Sequence, residues 1–235
     1  MQINSSLSKD CYINLGLAVA GDLVKDINLN LVKKVIIIGV FSENLAKLFA
    51  NFDINIVFYL NYQECSKEDK CDLLISFLDI PKIYEINEFM GKAKEILSPE
   101  GIFAGCFAGE LTMIQTRMKL WAIEEKVENG YTNRMRPSIR LADLNSLLHY
   151  FGLKNIISFK DEYNIGPYNI QDYFKHIRDC SENIYIGSEV NKPPKISKNL
   201  YKEIMDDVEV YNDKIDIIGF CASSSTRFFA ARKDL

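Results

Sequence analysis

The chain has 235 residues, 48% of them hydrophobic and 26% charged, and its formal net charge is −4. That length suits one large α/β domain with a sizeable core. The acidic balance excludes a global field favouring nucleic acid or an anionic membrane.

Residues 12–27 set Leu15, Val19, Leu23, Val24 and Ile27 at helical spacing, which predicts an amphipathic helix ahead of the sheet. The unbroken β-branched run Val35-Ile36-Ile37-Ile38 predicts a strand covered on both faces, closed by a sharp turn at Gly39. A helix over 43–51 and a second buried strand over 54–60 follow. Next come a strand over 72–78, a helix over 85–97, a turn at Ser98-Pro99-Glu100-Gly101 and a strand over 102–107. This alternation implies right-handed crossovers and a parallel sheet. Beyond it, residues 111–128 read as a long helix closed by Asn129-Gly130, and 143–151 as a short helix ending at Gly152. A strand over 155–160, helices over 170–180 and 197–205, and a last strand over 214–221 complete the chain. Lys192-Pro193-Pro194-Lys195 reads as an exposed loop, so a single domain over 1–235 is expected.

The six cysteines (11, 65, 71, 106, 180 and 221) lack the two-residue spacing of a zinc knuckle or redox motif. Cys106, inside an apolar strand, reads as a small core residue. Reduced thiols, a polar N-terminus and no apolar run of membrane-spanning length predict a cytoplasmic protein without membrane insertion. His149 and His176 are the only histidines and lie far apart on predicted helices, so no metal or triad site is expected. Ser76 and Asp79 fall at the C-terminal end of the 72–78 strand, where α/β sites gather. Asp79 reads as a base, a ligand contact or, more plainly, a helix cap or loop acid. The aromatic residues Tyr150, Phe151, Phe159, Tyr163, Tyr168, Tyr173 and Phe174 read as core, with a cavity wall as the alternative. Glu124-Glu125, Asp206-Asp207 and the basic groups Lys33-Lys34 and Arg134, Arg136, Arg140 read as solvated faces.

Three segments carry a family resemblance. They are the strand Asp72-Leu73-Leu74-Ile75-Ser76-Phe77-Leu78, the stretch Glu95-Ile96-Leu97-Ser98-Pro99-Glu100-Gly101, and the following Ile102-Phe103-Ala104. Together they resemble the fourth strand, the next helix and the "L-x-P-x-G" turn of the class I S-adenosylmethionine-dependent methyltransferases. Phe107-Ala108-Gly109-Glu110 resembles that family's "F-G-G-[DE]" segment. Gly130-Tyr131, Pro137, Asp143-Leu144, Leu147-Leu148, Phe151-Gly152-Leu153, the 172–178 segment and Ile217-Ile218-Gly219-Phe220 follow in order. These narrow the resemblance to the branch holding malonyl-acyl-carrier-protein O-methyltransferases and the methyltransferase-like assembly factor of respiratory complex I. The resemblance implies a Rossmann-like methyltransferase fold, mostly parallel with an antiparallel C-terminal strand and helical insertions. It also sets Arg117 at the place of an arginine in the family's long helix, where a carrier or partner contact is one reading and a salt bridge the other; Arg136 is a second candidate for that contact.

The cofactor motif departs from the family's. An acidic residue there stands two places before a Gly-x-Gly-x-Gly turn; here Ile37 takes the acid's place, and Phe41 and Glu43 replace the second and third glycines. Glycine matters because absence of Cβ permits positive φ and close approach of a ligand to backbone. The acid that grips the ribose at the end of the second strand is replaced by Asn61, which cannot reproduce a bidentate carboxylate. Only residues 62–71 link that strand to Asp72, and ten residues reach roughly 33 Å, enough for a crossover but not for another strand and helix. A missing third strand is therefore expected. Gly39, Asn61, Ser76 and Asp79 are what remains to meet S-adenosylmethionine. The expectation is a pseudoenzyme acting as an assembly or binding factor, with a respiratory-complex subunit or acyl carrier protein as partner. An active methyltransferase on an acyl-carrier thioester or a protein is the alternative, and arginine hydroxylation, the related assembly factor's chemistry, is a third reading.

Overall fold

A computed structural model describes residues 2–3, 9–78, 80, 85–130, 139–179 and 196–225. Among the described residues, seven strands form one sheet: β1 (Gln2–Ile3), β2 (Lys34–Ile38), β3 (Asn55–Tyr59), β4 (Cys71–Phe77), β5 (Leu97–Ala108), β6 (Asn155–Tyr168) and β7 (Tyr211–Ser223). Their order is β1-β6-β7-β5-β4-β2-β3. Neighbours run parallel except β7, which is antiparallel to both β5 and β6. The expected α/β class and antiparallel C-terminal strand are thus present. At the other edge, β3 pairs only with β2 among the described residues, so the family's third strand is missing as its short linker implied.

Six α-helices among the described residues complete the frame: α1 (Lys9–Lys25), α2 (Ile86–Ile96), α3 (Ile114–Glu128), α4 (Leu141–Tyr150), α5 (Ile170–Asp179) and α6 (Lys198–Asp206). Strands buried on both faces need two cores, and the β2 alternation supplies them. Val35 and Ile37 join one cluster with α1, α3, α5 and α6; Ile36 and Ile38 join the other with α2 and α4. On the α2 side, Tyr62, Phe89, Phe103 and Phe220 stack edge to face in a chain, with ring centroids 5.0–5.8 Å apart. Helix ends follow local chemistry. The Ser197 hydroxyl accepts the Leu200 amide at the start of α6, and Asn129 adopts φ 54° to close α3.

Four expectations change. The helix over 43–51 is a 3-10 helix, Ser42–Phe49. The Asn44 amide and side chain both donate to the Phe41 carbonyl, at 3.1 and 3.0 Å, which favours the tighter turn. The Ser98–Gly101 turn is absorbed into β5, whose register with β4 shifts between Cys71 and Leu73. The 155–160 strand continues to Tyr168, because β7 pairs with it from Asn155 to Tyr168. Glu124, read as solvated, is fully buried on α3. Among the aromatic residues Tyr168 and Tyr173 are core as expected, whereas Tyr150 is 82% exposed. Cys106 is core, 1% exposed. The 192–195 loop, Tyr131, Arg134, Pro137 and Cys180 lie outside the described residues.

Candidate functional site at the C-terminal ends of β2, β3 and β4

Gly39 ends β2 with φ 134°, a backbone conformation that disfavours a side chain. Its amide donates to the Tyr59 carbonyl (3.0 Å) and its carbonyl accepts the Ser42 amide (3.1 Å), so the turn is tied to the end of β3. Ile37, at the place of the family's acid, is fully buried. Phe41 is 5% exposed and belongs to the core cluster under α1, with the Lys9 ammonium 5.1 Å above its ring. Leu78, just past β4, is buried with φ 55°, an uncommon conformation for a branched side chain. Its side chain packs on Gly16 of α1, where an added Cβ would meet three Leu78 carbons at 3.0–3.1 Å. The turn after β2 and the end of β4 thus each send an apolar side chain onto α1.

Asn61 is committed locally. Its carbonyl oxygen accepts the Gln63 amide (3.0 Å) and its side-chain amide donates to Glu64 (2.7 Å), capping the short 3-10 helix Tyr62–Glu64. The Glu64 carboxylate also accepts the Leu60 amide (3.2 Å). A carboxylate is therefore held at the end of β3, three residues beyond the expected place. Sequence reasoning missed it, although Asn61-x-x-Glu64 has the spacing of a capping box. Ser76 is fully buried, and its hydroxyl has no hydrogen-bond partner among the described residues. By strand alternation Ser76 shares the α2 face with Leu74, whereas Phe41 and Leu78 lie in the α1-side cluster. Gly39, Asn61 and Ser76 lie at or just past the C-terminal ends of the neighbouring strands β2, β3 and β4. Asp79 and Arg136 lie outside the described residues.

Arg117 donates to the Glu110 carbonyl (3.4 Å), which holds it against the turn after β5. Beside it, a buried polar network ties α3 to β7. Thr112 donates to the Asp216 carboxylate (2.7 Å); Asp213 accepts the Thr116 amide (2.9 Å), the Thr116 hydroxyl (3.0 Å) and the Tyr168 phenol (3.1 Å). Burial pushes the Tyr168 phenol well above its usual value. This network ties the start of α3 to β7, although Asp216 Oδ2 is buried without a hydrogen-bond partner among the described residues. Near β3, the hydrogen bond that Tyr59 donates to Asp69 (2.7 Å) pushes the phenol up to about 12. His149 is exposed on α4. No helix among the described residues is long and apolar enough to cross a membrane.

This sheet order, with glycine closing β2 and an antiparallel strand between β5 and β6, is the class I S-adenosylmethionine-dependent methyltransferase fold. Solved structures agree. A proposed methyltransferase of Bacillus halodurans C-125 (BH2331) superposes with a TM-score of 0.51 at 13% identity, covering 89% of this chain and 99% of that one. The YcgJ protein of Bacillus subtilis gives a TM-score of 0.51 at 10% identity, covering 89% and 98%. In sequence, the chain is similar to RP459 of Rickettsia prowazekii (strain Madrid E), named as a proposed methyltransferase, at 24% identity over 159 residues. It is similar also to the protein named mitochondrial arginine-hydroxylase NDUFAF5, at 27% identity over 127 residues in Homo sapiens and 24% over 116 in Danio rerio. The matched regions are 67% of this chain and 69% of RP459, but only 53% of this chain and 37% of the human hydroxylase. For the zebrafish protein they are 49% and 36%. No family profile matches the chain.

Proposed function

We propose that this is a methyltransferase-fold protein whose S-adenosylmethionine site has eroded and which acts as a binding or assembly factor on a protein partner. The observation that supports this reading is that Ile37, fully buried, stands where the family's acid would be, with Phe41 and Leu78 buried beside α1 at the ends of β2 and β4. A cofactor's amino-acid part needs bare backbone and a counter-charge for its ammonium; this turn offers a phenyl ring and an isoleucine. The residues present do not suit S-adenosylmethionine. The partner expected is a respiratory-complex subunit or an acyl carrier protein. Similarity to proteins named arginine hydroxylases of mitochondria supports a protein partner, and Arg117, held beside Glu110, is the side chain to test for that contact.

A second reading rests on Glu64. A carboxylate fixed at the end of β3 is suited to grip two vicinal hydroxyls, which favours an active methyltransferase on an acyl-carrier thioester or a protein. Titrating the purified protein with S-adenosylmethionine separates the two. Saturable micromolar binding that Glu64→Gln weakens supports the second reading and removes the first. Absence of any heat or melting shift at millimolar ligand does the reverse, because a ligand at a hundred times its Kd adds about 2.7 kcal/mol.

A further inference from the structure

A cavity of about 460 Å³ opens at the opposite end of the sheet, between α2, the start of β5 and the start of β6. Its walls are Met90, Ala93, Leu97, Phe103, Phe151 and Leu153, with Phe103 fully buried at its floor. That volume lies within the ~300–1,000 Å³ range of small-molecule sites, and apolar walls with few polar groups are their usual character. Lys70 and Lys94 line it and are both exposed.

The charges beside the cavity are unbalanced. Asp72 already accepts the backbone amides of Lys33 and Lys34 at 2.9 and 3.2 Å, and Glu95 pairs with Lys67 at 3.4 Å. Lys70 gives one hydrogen bond to the Glu95 carbonyl, which leaves two ammonium protons. Lys94 makes no ion pair among the described residues. Both lining hydroxyls are already engaged: Ser98 donates to Asp72 (3.4 Å) and Ser224 to the Pro99 carbonyl (2.8 Å). A ligand's polar end is therefore left to the two lysines, and its body to the apolar walls.

We propose that this cavity binds an apolar carboxylate, with the hydrocarbon body against Phe103 and Leu153 and the carboxylate between Lys70 and Lys94. The site is separate from the crevice at the ends of β2 and β4, and the proposal stands whether or not S-adenosylmethionine binds there.

The test is calorimetric titration of the full chain with dodecanoate below its micelle-forming range, beside dodecanol and dodecyltrimethylammonium. Saturable one-to-one binding of dodecanoate is expected, weaker for dodecanol and weakest for the cation. Removing either lysine charge (Lys70→Gln or Lys94→Gln) lowers affinity roughly fivefold, the scale of one close charge pair in water. Ala93→Trp, which fills the cavity, abolishes binding; if that variant does not fold, Leu153→Trp serves at the rim. No saturable binding overturns the proposal. So does equal affinity for dodecanoate and dodecanol, or affinity unchanged in a folded tryptophan variant.

Discussion

The two ends of the sheet contrast in how their space is used. At the C-terminal ends of β2 and β4, where α/β folds gather ligands, Phe41 and Leu78 are buried on the α1 side of the core. At the opposite end, about 460 Å³ stays open between α2 and the starts of β5 and β6. The first end carries Ile37, Phe41 and Glu43 where the family resemblance expects an acid and two glycines; the second has small residues, Ala93 and Gly152, at the walls of its cavity. Fold alone does not locate a ligand site.

Core substitutions give the largest expected effect. Phe41→Ala removes a ring packed under α1 and costs about 3–5 kcal/mol in denaturant unfolding, whereas half-buried Leu153→Ala at the open end costs about 1 kcal/mol. Equal losses at both ends would break the contrast. Asp213→Ala strands the Thr116 amide and leaves the Thr116 hydroxyl and the Tyr168 phenol only each other as partners, and an unfolding loss of about 2–4 kcal/mol is expected. Asn61→Ala, by comparison, loses one exposed cap and costs about 1 kcal/mol. A large loss there would give Asn61 a structural weight beyond its cap.

Titration sharpens the β3 edge. The Tyr59 phenol is raised from 10.0 to about 12 by the bond it donates to Asp69, so the folded state holds that proton more tightly than the unfolded chain. This contribution is fully present below about pH 10 and is lost as pH rises to about 12. The alkaline arm of a stability–pH curve steepens over that window in the wild type and flattens in Tyr59→Phe. The smallest effect concerns the thiols. Burial pushes Cys65 up to about 11 and Cys71 and Cys106 up to about 12, so their thiolates are scarce at neutral pH. Brief iodoacetamide treatment of native protein, read by peptide mass spectrometry, labels half-buried Cys11 before any of these three. Prompt labelling of Cys71 would mean that β4 opens readily.

Much of the fold was legible in the residues. Val35-Ile36-Ile37-Ile38 demanded a strand covered on both faces, and the short link before Asp72 left no room for a third strand. The full length of β6 was not legible, because residues beyond Lys160 alternate weakly and are held by β7, far along the chain. The 3-10 helix after Gly39 hid behind helical spacing, since the Asn44 side chain's bond to Phe41 is invisible to periodicity. At the candidate site, substitution of glycines by Phe41 and Glu43 could be read directly. The packing of Leu78 on Gly16 could not, since it joins residues far apart in the chain. Ser76 was placed at the right strand end but on the other face of the sheet from Phe41.

On the proposed function, the crevice beside Gly39 does not take the fold's usual cofactor. Calorimetric titration of the purified full chain with S-adenosylmethionine tests it most directly. No saturable heat and no melting shift at millimolar ligand are predicted; one-to-one binding in the micromolar range, lost in Glu64→Gln, would contradict the claim.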